Sequence, residues 1–362
     1  MHVLALFIPV AIVLELLHVF GGWEISPIVI FATSTIGVIP TAALMGRATE
    51  ELAAKAGPGI GGLLNVTFGN APELIIAFFA LIAGLQEVVK ASLVGSIVGN
   101  TLLVLGASMF IGGVRREKQE FNRTAAQAQS AMLLLAVAAL ILPAVFQLVH
   151  GGSLPAVGEQ IQETGPNIEN LSFAVAIVLI LSYCAGLWFS LKTHRSLFNP
   201  YSEEEDHADA WTVRKSVTML AVAGAAVGVM SEILVGSITE AADGIGLSEF
   251  FVGVFIVAIV GNAAEHWVAV LVAAKNKMDL AVNICIGSSA QIALFVAPLL
   301  VLLSFVFGPA PMSLVFNGYE IAALMLAVLI SNFVVQDGES NWFEGIQLLS
   351  VYAIFGLVFF YA

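Results

Sequence analysis

The sequence predicts an all-α polytopic membrane protein of about eleven transmembrane helices, with one extra N-terminal helix followed by two inverted five-helix repeats. Three observations carry that expectation. Of the 362 residues, 59% are hydrophobic and 11% charged, where a soluble domain carries roughly 25% charged residues. The apolar residues form stretches near 3–20, 25–46, 60–84, 88–113, 125–149, 170–191, 213–239, 250–274, 280–307, 317–336 and 342–362. Most are close to the ~20 residues that a helix needs to cross hydrocarbon about 30 Å thick. Finally, a short motif with a carboxylate inside it occurs twice, as Gly-Asn-Ala-Pro-Glu at 69–73 and Gly-Asn-Ala-Ala-Glu at 261–265.

Residues 1–24 form the extra helix. No basic residue precedes its apolar core and no small-residue cleavage site follows, so it is expected to be retained rather than removed as a signal peptide. Residues 25–191 and 213–362 are the two repeats, joined by the acidic linker 192–212. Besides Gly69, Asn70, Ala71 and Glu73 matching Gly261, Asn262, Ala263 and Glu265, the pair Gly95–Ser96 matches Gly287–Ser288 at the same 192-residue offset. Five spans per repeat is an odd number, so the second copy enters the membrane the other way up. Inverted repeats of this kind are common in secondary transporters, whose sites lie near the midplane.

Orientation follows from the thirteen Lys and Arg residues, of which only Lys90 falls on the side away from the N-terminus. Under the positive-inside rule the N-terminus is cytoplasmic and the C-terminus outside. The expected location is the cell's inner (plasma) membrane. The net charge of −13 argues against a nucleic-acid partner and against a polybasic lipid-binding face. Cys184 and Cys285 lie in separate apolar segments and suggest neither a disulfide nor a metal site.

Asn70 and Glu73 share a helix face, and so do Asn262 and Glu265. Pro72 gives no N–H to the carbonyl of Phe68, which predicts a break or kink there; the second copy has Ala264 instead, and its break rests on Gly261. Helical rise returns the following span to the same depth, bringing Ser96 and Asn100 toward Glu73, and Ser288, Ser289 and Gln291 toward Glu265. Carboxylates, amides, hydroxyls and freed carbonyls form an all-oxygen, flexible donor set. That suits Ca²⁺ better than Zn²⁺. A lone membrane glutamate can also be a protonated, purely structural group, but a second copy at equivalent depth favours function. Glu15, His18 and Glu232 lack repeat partners and read as structural or peripheral. His266 points away from Glu265 on a helix and reads as packing, with a proton relay or gate as the other roles open to it.

At these residues the chain resembles the cation/proton exchanger (CAX) family, Ca²⁺/H⁺ antiporters within the cation/Ca²⁺ exchanger superfamily. "NVTFGNAPELIIAFFAL" and "GSIVGNTLLVLG" resemble the family's first repeat. The run from "VAIVGNAAEHW" through "GSSAQIALFVAPLLVL" resembles the second, and "DGESNWFEGIQLLSVYAI" a signature near the end. The resemblance implies that Glu73 and Glu265 bind the cation and carry protons in alternation, supported by Asn70 and Asn262. Gly69, Pro72, Gly261, Ser96, Asn100, Ser288, Gln291 and His266 are implied as neighbours of that site. It further implies Ca²⁺ and H⁺ as substrates, no cofactor and no enzymatic activity; a homo-oligomer stays open. The stretch "YSEEEDHADAW" occupies the family's acidic linker and lacks EF-hand spacing. A Na⁺/Ca²⁺ exchanger of the same superfamily is the nearest alternative. An intramembrane hydrolase or a cation channel represents a different class, although the five Asp residues lie near loops or helix ends and no H-E-x-x-H motif is present.

Overall fold

The computed structural model describes residues 3–159, 165–193 and 211–362, without the side chains of 57–60, 62 and 66. Glu203, Glu204, Glu205, Asp206 and Asp209, with most of the 192–212 linker, lie outside the described residues. In chain order the helices are α1 (Leu4–Val19), α2 (Pro27–Phe68), α3 (Ala71–Ile82), α4 (Gln86–Gly113), α5 (Arg123–Val149) and α6 (Pro166–Thr193). They continue with α7 (Val213–Ile245), α8 (Glu249–Gly261), α9 (Ala263–Ala274), α10 (Met278–Ser304), α11 (Gly318–Val334) and α12 (Trp342–Phe360). Among the described residues, seven helices are long and apolar enough to cross a membrane, and the pair α8 and α9, bent by 62°, makes an eighth span; α1, α3 and α11 are apolar but shorter. The chain is a multi-pass membrane protein.

Local chemistry explains where these helices begin and turn. Pro27 opens α2, where a missing N–H costs nothing. Asn317 with Glu320, and Asn341 with Glu344, form reciprocal capping boxes at α11 and α12. Gly84 (φ 81°) turns the chain between α3 and α4, and Asn276 (φ 62°) does so between α9 and α10. Asparagine is one of the few residues besides glycine that visits this left-handed conformation readily. These turns stand 192 residues apart, as do both ends of α3 and α9, Ala71 to Ala263 and Ile82 to Ala274.

The polar stretch after residue 46 is helical. Between the stretches 25–46 and 60–84 the polar residues Arg47, Glu50, Glu51 and Lys55 stay helical within α2, yet a Cβ built on Gly61 would lie 2.3 Å from the Ala53 carbonyl oxygen, so the chain bends sharply back there, where eight residues of straight helix would span ~12 Å. Ala, Glu, Leu and Lys are strong helix formers, and Arg47 approaches Glu51 at 4.0 Å one turn on.

The described residues gather into two compact units. The first comprises Met1–Phe79, Ser182–Ile245 and Val260–Ala264. Here α2 packs along α7 around a core of Met45, Ala71, Ala223 and Val227. Just before α7, the Trp211 backbone N–H donates to Glu51 Oε2 at 2.8 Å. Its buried ring lies 4.9 Å from the Arg47 guanidinium carbon and 4.6 Å from Lys215 Nζ. Such cation–π contacts tie the start of α7 to the side of α2.

The second unit comprises Ala80–Leu181, Gly246–Ile259 and Glu265–Ala362. Its centre is α4, packed against α8 and α12, while α10 and α11 pack on α5. The apolar window of α4 is 78% buried, against 22% for α12, so α4 reads as core and α12 as a lipid-facing helix. The packing of α4 on α8 is closest at glycines. A Cβ built on Gly95 would lie 2.0 Å from the Val254 carbonyl oxygen, and one on Gly253 would lie 2.8 Å from Ala91 Cβ. At one end of this unit β1 (Gln119–Glu120) pairs antiparallel with β2 (Glu339–Ser340). Lys118 Nζ reaches Glu339 Oε1 at 2.7 Å and Glu120 Oε1 at 3.0 Å. Those two bonds, Glu339 first, hold its ammonium above the usual lysine range.

Candidate functional site

Both copies of the motif fall where a helix stops and restarts. In the first, α2 ends at Phe68, Gly69 N–H still donates to Asn65 O at 2.8 Å, and α3 restarts at Ala71. The break falls in the turn before Pro72, where the Phe68 carbonyl lacks an N–H four residues on and the proline ring crowds it. Pro72 sits in the first turn of α3, where proline is tolerated. Asn70, 2% exposed, bridges the gap, and its carbonyl accepts from Leu74 N–H at 3.1 Å. In the second copy α8 ends at Gly261 and α9 restarts at Ala263, leaving Asn262, also 2% exposed, at the bend. Glu73 and Glu265 each occupy the first turn of the restarted helix. There the amide ends of the helix dipole favour negative charge.

Within the first unit the two motifs meet. A Cβ on Gly261 would lie 3.1 Å from Glu73 Cγ and 3.6 Å from Ile76 Cδ1. Glycine thus lets the broken backbone of the second motif lie directly against the glutamate of the first. The Oε1 atom of Glu73 and the Oδ1 atom of Asn262 are both shielded from solvent.

Within the second unit Ser288 Oγ donates to Glu265 Oε2 at 2.9 Å, a contact that fits the expected neighbourhood. His266 Nε2 lies 2.9 Å from Asn100 Oδ1. Helical spacing could not reveal that bond, because its partners lie 166 residues apart and neither recurs at the 192-residue offset, where Leu74 and Ile292 stand. Ser96 is 3% exposed and lies about one turn before Asn100 on α4, while Gln291 is partly exposed on α10. Beside these residues both helices change winding. Residues Gly99–Val104 of α4 and Ile292–Val296 of α10 are π-helical, ending 192 residues apart. Single π turns recur at functional sites because they leave backbone groups free of the α ladder. Nothing in composition marks them. Glu232 is exposed on α7, and His18 Nδ1 lies 3.3 Å from Trp23 O, so neither joins these clusters.

The family described as "Sodium/calcium exchanger protein" matches residues 26–192 and 215–361. The chain belongs to that family. Within it, the Ca²⁺/H⁺ antiporter of Aphanothece halophytica is 42% identical over 372 residues, covering 99% of this chain and 95% of that one. The Ca²⁺/H⁺ antiporter ChaA of Bacillus subtilis is 44% identical over 357 residues, covering 98% and 96%. The solved structure of native YfkE superposes with a TM-score of 0.82 at 41% identity, covering 99% of this chain and 98% of that chain. Membership of the sodium/calcium exchanger family makes this chain a transporter and not an enzyme.

Proposed function

We propose that this family member is a Ca²⁺/H⁺ antiporter that exchanges cytosolic Ca²⁺ for protons by alternating access, with Glu73 and Glu265 binding Ca²⁺ and H⁺ competitively near the membrane midplane. The observation that carries the reading is the contact of Gly261 with Glu73, which sets a carboxylate from one motif against the helix break of the other. Helix breaks that present backbone carbonyls beside carboxylates are the hard-oxygen environment that Ca²⁺ requires. The antiporter relatives support protons as the counter-cargo. Asn70 and Asn262, buried at the two breaks, support the glutamates; Ser96, Asn100, Gln291 and His266 form the surrounding polar shell.

The layout proposed is eleven spans, one N-terminal helix plus two inverted five-helix repeats at 25–191 and 213–362. The matched offsets of the turns, of α3 with α9 and of the π segments support it. In this layout the N-terminus is cytoplasmic. Single cysteines at the exposed positions Glu117 and Ser153, in a background lacking Cys184 and Cys285, are then expected to react with an impermeant reagent from opposite faces. Labelling from one face overturns the span count.

The deciding experiment is Ca²⁺ flux in proteoliposomes with pH and Na⁺ gradients imposed separately. Flux that persists without Na⁺ and stops when the pH gradient is collapsed is the expected result; a requirement for Na⁺ would assign the counter-ion otherwise. Ser288→Ala removes the donor to Glu265 Oε2 and is expected to lower flux about tenfold, the low end for a hydrogen bond to a charged group. Unchanged flux would remove Ser288 from the site.

A further inference from the structure

Away from both motifs, the second unit contains a cavity of about 40 Å³ whose lining includes Gln86, Glu87, Lys90, Glu159, Asn317 and Glu320. Glu320, 2% exposed, accepts from Asn317 N–H through Oε2 at 2.8 Å. No group among the described residues donates to its Oε1. Lys90 Nζ donates to the Val315 carbonyl at 2.8 Å and forms no ion pair among the described residues. Buried charges are expected to be paired and fully hydrogen-bonded. Here an ammonium and a carboxylate line the same space and stop short of each other.

The rim adds two more carboxylates, each held by loop backbone. Glu87 Oε1 accepts from Gly158 N–H at 2.7 Å, and Glu159 Oε2 from Ala156 N–H at 2.8 Å. Glu249, at the start of α8 packed on α4, acts on Glu87 through its charge. Of the other titratable groups on neighbouring elements, Arg123 and Asp279 stand at the β1–β2 end of α5 and α10, and Glu344 caps α12. Cys285 is buried on α10. His150 lies 2.9 Å from Phe146 O, and the rings of Tyr319 and Tyr352 pack on Phe359 and Phe255. A divalent ion fits poorly beside the Lys90 ammonium, and no group of three His, Cys, Asp or Glu among the described residues is arranged to hold a metal. A proton fits. In the proposed layout Lys90 is also the one basic residue on the face away from the N-terminus, and Val282 stands 192 residues on.

We propose that this cavity is a proton antechamber on the outer face, in which Glu320 exchanges protons with the outer medium. Hydronium gives its proton to the Glu320 carboxylate and leaves as water; the carboxylic acid returns the proton to a water in the cavity. Lys90 compensates the charge of the deprotonated form. The inference rests on the exchange reading above.

Glu320→Gln tests it, because glutamine keeps the capping-box acceptor for Asn317 N–H while abolishing titration. In oriented proteoliposomes, Ca²⁺/Ca²⁺ exchange at equal pH is expected to stay within about twofold of wild type. The outer pH giving half-maximal Ca²⁺/H⁺ exchange is expected to shift by about one unit, the scale of charge effects on titration. The double variant Lys90→Met/Glu320→Gln removes both buried charges and guards against misfolding of the single one. A wild-type outer-pH profile in either folded variant overturns the antechamber. Equal loss of both exchange modes does so too, because it marks a merely structural role. A wild-type protein whose Ca²⁺ flux ignores the pH gradient overturns the exchange reading, and the antechamber with it.

Discussion

Replacing Glu73 or Glu265 by glutamine is expected to abolish Ca²⁺ flux driven by a pH gradient, with each single variant at least about a hundredfold below wild type. Glutamine keeps the shape of the side chain and removes both the ligand charge and the titration. One Ca²⁺ or two protons neutralise the two carboxylates equally. In the proposed mechanism either load lets the transporter face the other side, while the doubly charged empty state resists the switch. With one carboxylate gone, Ca²⁺ loses a buried counter-charge, a loss worth about 3–5 kcal/mol. The proton count changes as well, so coupling fails together with affinity. Asn70→Ala and Asn262→Ala remove neutral amides and are expected to cost less. Radiolabelled Ca²⁺ uptake into vesicles, with thermal melting as the folding control, measures this. Near wild-type exchange by purified Glu265→Gln would sink the two-carboxylate mechanism.

Gly95→Ala is expected to be the most damaging small substitution outside the motifs. Its Cβ would lie 2.0 Å from the Val254 carbonyl oxygen and 2.7 Å from that residue's carbonyl carbon and Cα. All three are backbone atoms, so no side chain can swing away and α4 must part from α8. Overpacking of this kind costs about 1–3 kcal/mol and occasionally more. Two controls share the chemistry without the clash. A Cβ on Gly99 meets nothing within 4 Å, and one on Gly287, the repeat counterpart of Gly95, comes no closer than 3.4 Å to Asn283 Oδ1. Melting temperatures in detergent should fall for Gly95→Ala and hardly move for Gly99→Ala and Gly287→Ala. Equal melting of all three would show that α4 and α8 are not held at this distance.

The glycine comparison also shows what could be read in advance. Helix breaks at Gly69–Asn70 and Asn262 were legible because glycine, proline and asparagine leave a local signature inside apolar sequence. Membrane class was legible for the same reason, since charge is scarce over long runs. The helical state of the polar stretch after residue 46 was not. Arg47, Glu50, Glu51 and Lys55 look like a loop by hydropathy, yet their helix propensity prevails. Gly95 and Gly287 are the same letter in the same repeat position, and only three-dimensional proximity separates a strict requirement from a permissive one. The bond between His266 and Asn100 leaves no repeated signature in the sequence, because Leu74 and Ile292 stand 192 residues from them.

That bond has a thermodynamic corollary. A carrier whose halves were identical after inversion would present the same landscape from either side, with equal half-saturation and equal maximal velocity in both directions. In the proposed exchanger of two inverted repeats, His266 with Asn100, set against Leu74 and Ile292 at the equivalent positions, removes that equality. Detailed balance still forbids any change in the stall point, where the Ca²⁺ gradient and the proton gradient cancel, because no side chain alters an equilibrium between two bulk solutions. What an unequal pair can do is rectify the approach to that point, so that loading from one compartment and release into the other proceed at rates each set by its own side.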